Sequence, residues 1–227
     1  MNRGPFAEGE LYHCYNRGVD KRRIFEKTAD YERFLMLLYV ANSQKRIHLS
    51  DFGRNGQGPT LTKVLAAERG APLVTLGSYC LMPNHFHLLL RPETKGGVPL
   101  FLQKVATGYG MYFNISRERN GTLFQGKFKS KHIPNDVYFR RLINYIHSNP
   151  AELYEPGWKL GKVKNEKGLR KKLSFYAFSS LAEFLQQKGR IAGVPAVNSM
   201  LERPLALNDL IAEAKLFIRQ ELVKVGP

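Results

Sequence analysis

The chain has 227 residues, 43% of them hydrophobic, and a formal net charge of +16. This charge favours a polyanionic partner but no particular reaction, since a ribosomal protein would show it too. Two cysteines are too few for a disulfide scaffold or a cysteine zinc site. No apolar run approaches the ~18 residues of a membrane-spanning helix, and the N-terminus lacks a hydrophobic signal region, so we expect a cytoplasmic protein without a membrane partner.

The hydrophobic periodicity predicts alternating strands and helices along the first two thirds of the chain. Asp30 is the expected cap of the first helix. A segment at 48–72, rich in glycine and polar residues, reads as an insertion with a short helix at 61–68. The remaining predicted elements are a strand at 11–16, a helix at 30–46, a hairpin of strands at 74–81 and 85–91, a helix at 99–117, a strand at 127–133 and a helix at 136–149.

This order of strand, helix, two strands, helix and strand indicates an α+β fold, with a ferredoxin-like core in which helices flank a central antiparallel sheet. Residues 1–152 form the predicted domain. Residues 153–227 are predicted to be a basic linker and a mostly helical C-terminal extension, with helices at 179–188 and 207–223. A separate domain is disfavoured because about 75 residues bury little core.

A His-Phe-His triplet stands in an apolar run on the second strand of the hairpin. Side chains two positions apart share one face of a strand, so His85 and His87 could bind one metal ion while Phe86 faces the core. The alternative is one core histidine and one exposed histidine.

A second group of polar residues lies at the end of the helix at 136–149. Pro150 disfavours helix at the residue before it, so the helix is expected to end near Asn149. Tyr145 and Asn149 are four positions apart and share one helix face, where a hydroxyl nucleophile and an oxygen ligand could reach the same ion. Ordinary helix packing for Tyr145 and a helix C-cap for Asn149 remain alternatives.

Four motifs occur in a characteristic order: Tyr12-His13-Cys14-Tyr15-Asn16-Arg17-Gly18, Gly77 through His87, Leu123 through Lys129, and Tyr145-Ile146-His147-Ser148-Asn149-Pro150. Together they resemble the REP-associated tyrosine transposases, single-tyrosine members of the HUH nuclease superfamily related to the IS200/IS605 group. The resemblance covers about residues 8 to 152, which it marks as an HUH single-tyrosine transposase domain.

The resemblance implies a metal-dependent single-stranded DNA endonuclease and strand transferase. His85 and His87 correspond to the metal-binding pair, Tyr145 to the nucleophile and Asn149 to the third protein ligand. The classical insertion-sequence enzymes have Gln where Asn149 stands, which offers the same amide oxygen on a longer side chain. Mixed nitrogen and oxygen ligands fit Mg²⁺ or Mn²⁺. The implied substrate is single-stranded DNA with a REP-like hairpin, and the implied intermediate is a 5′-phosphotyrosine on Tyr145.

Basic residues between the two motifs are the expected DNA contacts. Phosphate contacts need cations, and the alternating Lys-Phe pattern of this stretch suits them on one face of a strand. A solvated basic hairpin is the alternative. The residues expected to bind DNA are Asn16, Arg17, Arg117, Arg119, Lys127, Lys129, Lys131 and His147, the last on a different helix face from Tyr145. A second basic run at 159–172 reads as a mobile DNA-tracking segment or a plain linker.

Two further functions stay open at this stage. A domesticated nucleic-acid-binding protein would keep the fold and the basic surface but cut poorly. A ferredoxin-like RNA-binding protein would need paired aromatic residues on the central strands, where the histidines stand. A monomer is favoured over a dimer.

Overall fold

The structure, a computed structural model, describes residues 6–53 and 58–225, with side chains as far as Glu221. Residues 54–57 of the predicted insertion lie outside the described residues. The sheet has four strands, which are β1 Tyr12–Arg17, β2 Val74–Met82, β3 His85–Pro92 and β4 Lys129–His132. Their order is β2-β3-β1-β4, and all three pairings are antiparallel. The predicted α+β fold with a central antiparallel sheet is confirmed.

Nine α-helices are found among the described residues. Two long helices, α1 and α3, alternate with the strands, and α4 follows β4. The helices are α1 Thr28–Val40, α2 Leu61–Leu65, α3 Gly97–Ile115, α4 Asp136–Ser148, α5 Ala151–Tyr154, α6 Glu166–Ser174, α7 Leu181–Leu185, α8 Val194–Asn198 and α9 Leu210–Val225.

The two faces of the sheet pack against different helices. They carry different residues because alternate side chains of each strand point to opposite sides. Phe86 packs against Phe34 of α1, with ring centroids 5.1 Å apart, and Phe34 packs against Tyr109 of α3 at 5.0 Å. The α1 and α3 helices therefore cover one face with a hydrophobic core. His87 points to the other face, where its ring lies 5.7 Å from that of Tyr145 on α4.

The first helix differs from its prediction at both ends. It begins at Thr28 and ends at Val40, whereas the sequence predicted 30–46. Asp30 is the third residue of the helix and not its cap. Its carboxylate accepts hydrogen bonds from the backbone N–H groups of Glu26 and Lys27, at 2.9 and 3.1 Å. An acidic side chain in the first turn can satisfy free N–H groups as a cap does, which explains the shift.

Pro150 ends α4 as predicted, yet the chain stays helical beyond it. Asn149 and Pro150 both have right-handed helical φ and ψ angles, and α5 follows at once. Proline is tolerated at a helix start because the N–H that it lacks would have no partner there. The side chains of α4 and α5 therefore lie along one nearly continuous helix.

Residues 153–225 fold against the core. Trp158 is fully buried in a second hydrophobic cluster, with Leu169, Leu173 and Ile211. Residues 178–180 follow the free edge of β2, where Leu81 N–H donates to Phe178 O at 2.9 Å and Ser180 N–H to Tyr79 O at 3.0 Å. The basic run at 159–172 begins in a 3₁₀ turn at Trp158–Leu160 and ends in α6, with residues 161–165 between them in neither element. No helix in the described part of the chain is long and apolar enough to cross a membrane.

Candidate functional site

The two histidines of the triplet lie side by side on β3, with ring centroids 5.0 Å apart. His85 Nδ1 is 2.7 Å from Asn84 Oδ1. An amide oxygen only accepts hydrogen bonds, so Nδ1 must donate and the lone pair of neutral His85 lies on Nε2. Burial, and after it the charge of Lys159, lowers the pKa of His85 to about 4. His85 is therefore neutral at pH 7 and has a nitrogen lone pair available to a cation.

A third histidine supports the pair from the neighbouring strand. His13 Nε2 lies 2.9 Å from His87 Nδ1, and the two rings are stacked with centroids 5.0 Å apart. Burial lowers the pKa of His13 to about 3 and that of His87 well below its usual value. When His87 Nδ1 donates to His13, His87 Nε2 is the free nitrogen. Such a partner fixes the orientation of a metal-binding imidazole.

His13 was not among the predicted site residues, although the alternation of side chains on β1 could have indicated it. His13, Tyr15 and Arg17 alternate on β1 as His85 and His87 do on β3. In the sheet, Tyr15 pairs with His87, and Arg17 pairs with His85. The Tyr15 ring lies 5.8 Å from that of His87, almost the same separation as for Tyr145. Two tyrosines therefore border the histidine pair.

Tyr145 is held between the sheet and the C-terminal helix. Its ring lies 5.7 Å from His87 and 4.7 Å from Phe217 of α9. Burial, and after it the charge of Glu152, raises the pKa of Tyr145 to about 12. The phenol is thus protonated at pH 7, so it must lose a proton to act as a nucleophile.

Asn149 carries a buried oxygen without a hydrogen-bond donor among the described residues. Its Nδ2 donates to Tyr145 O at 2.8 Å, and its residue is 0% exposed. Side-chain hydrogen-bond contacts of the amide that fall short of full hydrogen-bond geometry raise the pKa of His85 and lower that of Tyr145, although burial has the larger effect on both. A buried oxygen without a donor is costly unless something else binds it.

The donor atoms fit a divalent metal ion. Among the described residues no three His, Cys, Asp or Glu side chains gather into a metal-binding group. The two available imidazoles are instead accompanied by the amide oxygen of Asn149. Two nitrogens and one oxygen leave coordination positions open for water or phosphate, which suits Mg²⁺ or Mn²⁺.

Three of the residues expected to bind DNA are exposed, and a fourth is partly so. Lys127 and Lys129 are exposed, and Lys129 pairs with Tyr15, which places it on the histidine side of the sheet. Arg17 is also exposed, and its guanidinium donates to Gln125 Oε1. Lys131 forms an ion pair with Glu221 of α9. Lys129 and Arg17 thus flank the histidine side of the sheet, whereas Lys127 lines a cavity with Phe86 and residues of α3.

The other four expected DNA contacts form hydrogen bonds or ion pairs with other residues of the protein, and two of them, Asn16 and His147, are buried. The His147 ring is buried with Nε2 2.8 Å from Ser180 Oγ, and buried Asn16 donates to Gly126 O at 3.2 Å. Arg117 pairs with Glu26 at 2.9 Å and Asp30 at 2.5 Å, while Arg119 donates to Asn114 Oδ1 at 2.6 Å and Thr122 O at 2.8 Å. Their side chains hold loops and helix ends together.

Comparison with known proteins bears on the fold alone. No protein-family model and no curated protein matches the chain. Among solved structures, a REP-associated tyrosine transposase bound to a REP hairpin matches with a TM-score of 0.51 and 14% identity, over 91% of this chain and 99% of that chain. The class defined by this match is a fold: an antiparallel sheet with flanking helices, shared with that transposase.

Proposed function

We propose that this protein is a metal-dependent single-stranded DNA endonuclease and strand transferase that acts through a 5′-phosphotyrosine on Tyr145. The observation that carries the proposal is the buried Asn149 Oδ1, which lacks a donor among the described residues and lies next to both His85 and Tyr145. A buried oxygen without a donor lowers the stability of the fold, whereas in a binding site a ligand can compensate for this loss.

His85, His87 and Asn149 would hold the metal ion, which when bound would polarise a non-bridging oxygen of the phosphate. Tyr145 lies beside this donor set and supplies the attacking oxygen. One P–O bond forms to Tyr145 and the bond to the 3′ oxygen breaks, so one ester replaces another of similar energy. The strand can therefore be rejoined by the reverse step, which suits transposition.

The substrate class is single-stranded DNA with a REP-like hairpin. The net charge of +16, the exposed Lys127 and Lys129, and the hairpin bound by the structural neighbour support this part of the proposal. Tyr145 and the histidines come from one chain, so the site does not require a second subunit to complete it. A monomer is therefore sufficient for the proposed reaction.

The test is a covalent-adduct assay. The protein is mixed with end-labelled single-stranded DNA containing a candidate hairpin, with and without Mn²⁺ or Mg²⁺, and run on a denaturing gel. We expect a metal-dependent adduct that Tyr145→Phe abolishes. Tyr15→Phe is the matched control, because its ring is almost equally close to His87.

Each result has a defined reading. Loss of the adduct in Tyr15→Phe but not in Tyr145→Phe would contradict the assigned nucleophile. Hairpin binding without any adduct, over several hairpins and both metals, would favour the domesticated binding protein instead.

A further inference from the structure

Glu152 of α5 places a carboxylate on the continuation of the α4 face that carries Tyr145 and Asn149. Glu152 N–H donates to Asn149 O at 3.1 Å, so the helical path continues through Pro150. Glu152 follows Asn149 by three positions, and Asn149 follows Tyr145 by four. This spacing places the three side chains on successive turns of one stripe.

Glu152 binds a lysine from the segment that follows. Lys159 Nζ lies 2.6 Å from Glu152 Oε2, with the two side chains 35% and 46% exposed. The backbone of Lys159 is anchored because Trp158, its neighbour, is fully buried in the second hydrophobic cluster. The packing of Trp158 therefore fixes the backbone position of Lys159, although the sequence predicted a linker here.

The charges of both side chains act on titratable groups of the site. Burial and then the charge of Lys159 lower the pKa of His85, whereas for His87 the charge of Lys159 follows burial and the charges of His13 and His85. After burial, the charge of Glu152 raises the pKa of Tyr145. The ion pair with Glu152, which continues the helix face of Tyr145 and Asn149, places the ammonium at the edge of the proposed metal and phosphate site. A half-exposed ion pair of this kind is weak.

We propose that Lys159 is a further catalytic residue, whose ammonium binds a non-bridging oxygen of the scissile phosphate after leaving Glu152. This inference rests on the proposed function. Negative charge on the phosphoryl oxygens is stabilised by a fixed cation while the Tyr145 oxygen attacks. The P–O bond to Tyr145 forms, the P–O3′ bond breaks, the tyrosine proton passes to water and the 3′ oxygen takes a proton from water. Glu152 is a positioning residue that keeps Lys159 at the site before DNA arrives.

The experiment compares rates of adduct formation with a saturating hairpin substrate and Mn²⁺. Lys159→Ala should slow the adduct about 100-fold, as removal of one donor to a developing oxyanion does. Lys159→Arg keeps the positive charge and should recover part of the rate. Lys95→Ala removes an exposed lysine outside both basic stretches and should leave the rate unchanged. Circular dichroism checks that each variant is folded.

A binding measurement separates a phosphate contact from a structural effect. In a Tyr145→Phe background, which prevents cleavage, loss of Lys159 should weaken binding of the DNA about tenfold, the value of a charge-assisted hydrogen bond. The same loss should be absent when a neutral methylphosphonate stands at the mapped cleavage position. Adduct formation by Lys159→Ala at the wild-type rate, or equal weakening on both DNAs, would refute the role of Lys159 alone. Absence of an adduct with the wild-type protein would refute the proposed function together with this inference.

Discussion

His147 offers a quantitative test of the buried site architecture, because its substitution separates a structural histidine from a DNA contact. Its ring is 0% exposed and bonded to Ser180, while its Nδ1 has no partner in the described part of the structure. A second proton would leave a buried charge without an acceptor. Burial accordingly lowers the pKa of His147 to about 3.

The sign and size of the effect follow from proton linkage. A histidine whose folded pKa is depressed contributes its stability above the unfolded pKa of about 6.5 and loses it as the pH falls below that value. Between pH 7.5 and pH 5.5 the unfolded state takes up nearly one proton at this position and the folded state takes up almost none. The loss is therefore about 1.4 kcal/mol of unfolding free energy from His147 alone.

The assay is urea unfolding of wild type and His147→Gln at both pH values. The other buried histidines contribute equally in both proteins. The change in unfolding free energy between the two pH values, compared between wild type and variant, therefore isolates His147. We expect the variant to lose about 1.4 kcal/mol less than wild type on acidification. A difference close to zero would show that His147 accepts a proton in the folded state, and would favour the expectation that it contacts DNA.

Two more substitutions test contacts that the sequence did not reveal. His13→Ala should weaken Mn²⁺ binding about 10- to 100-fold in isothermal titration calorimetry, because His87 loses its orienting partner. The control His132→Ala, which changes a half-exposed side chain, should leave the Mn²⁺ affinity unchanged. Equal affinities of the two variants would contradict the assigned orientation of His87. Glu183→Ala should lower the unfolding free energy by about 3 kcal/mol or more in urea titration, since its buried carboxylate accepts from Tyr79 Oη and from the backbone N–H of Arg190, Ile191 and Ala192. A loss below about 1 kcal/mol would mean that water replaces the carboxylate.

Local spacing rules predicted the fold and the grouping of the candidate site. Alternation places His85 and His87 on one face of β3, and the interval of four places Tyr145 above Asn149 on α4. Both rules depend only on the geometry of one element. The predicted ferredoxin-like core also placed the histidine pair in the middle of the sheet with the helix of Tyr145 beside it, and in the structure the face that carries His87 meets α4.

Contacts between distant parts of the chain could not be predicted in the same way. Arg117 looked like a free cation, yet its guanidinium binds Asp30, which lies 87 positions earlier. His13 meets His87 across 74 positions. Composition counts charges and rings but does not say which of them are paired. This is why the sequence did not reveal the internal partners of Arg117 or the support for His87.

The region after residue 152 is a structural part of the candidate site, since it completes the surroundings of the tyrosine. Phe217 of α9 packs on the Tyr145 ring, and Ser180 binds His147 on the same helix. Burial is the largest cause of the raised pKa of Tyr145, so the C-terminal helix helps to keep that phenol protonated in the free protein. The burial of Tyr145 and its raised pKa thus depend on a part of the chain that lies outside the sequence resemblance. The surroundings of Tyr145 come from β3, from α4 and from the distant C-terminal region, so no single sequence motif could define the site.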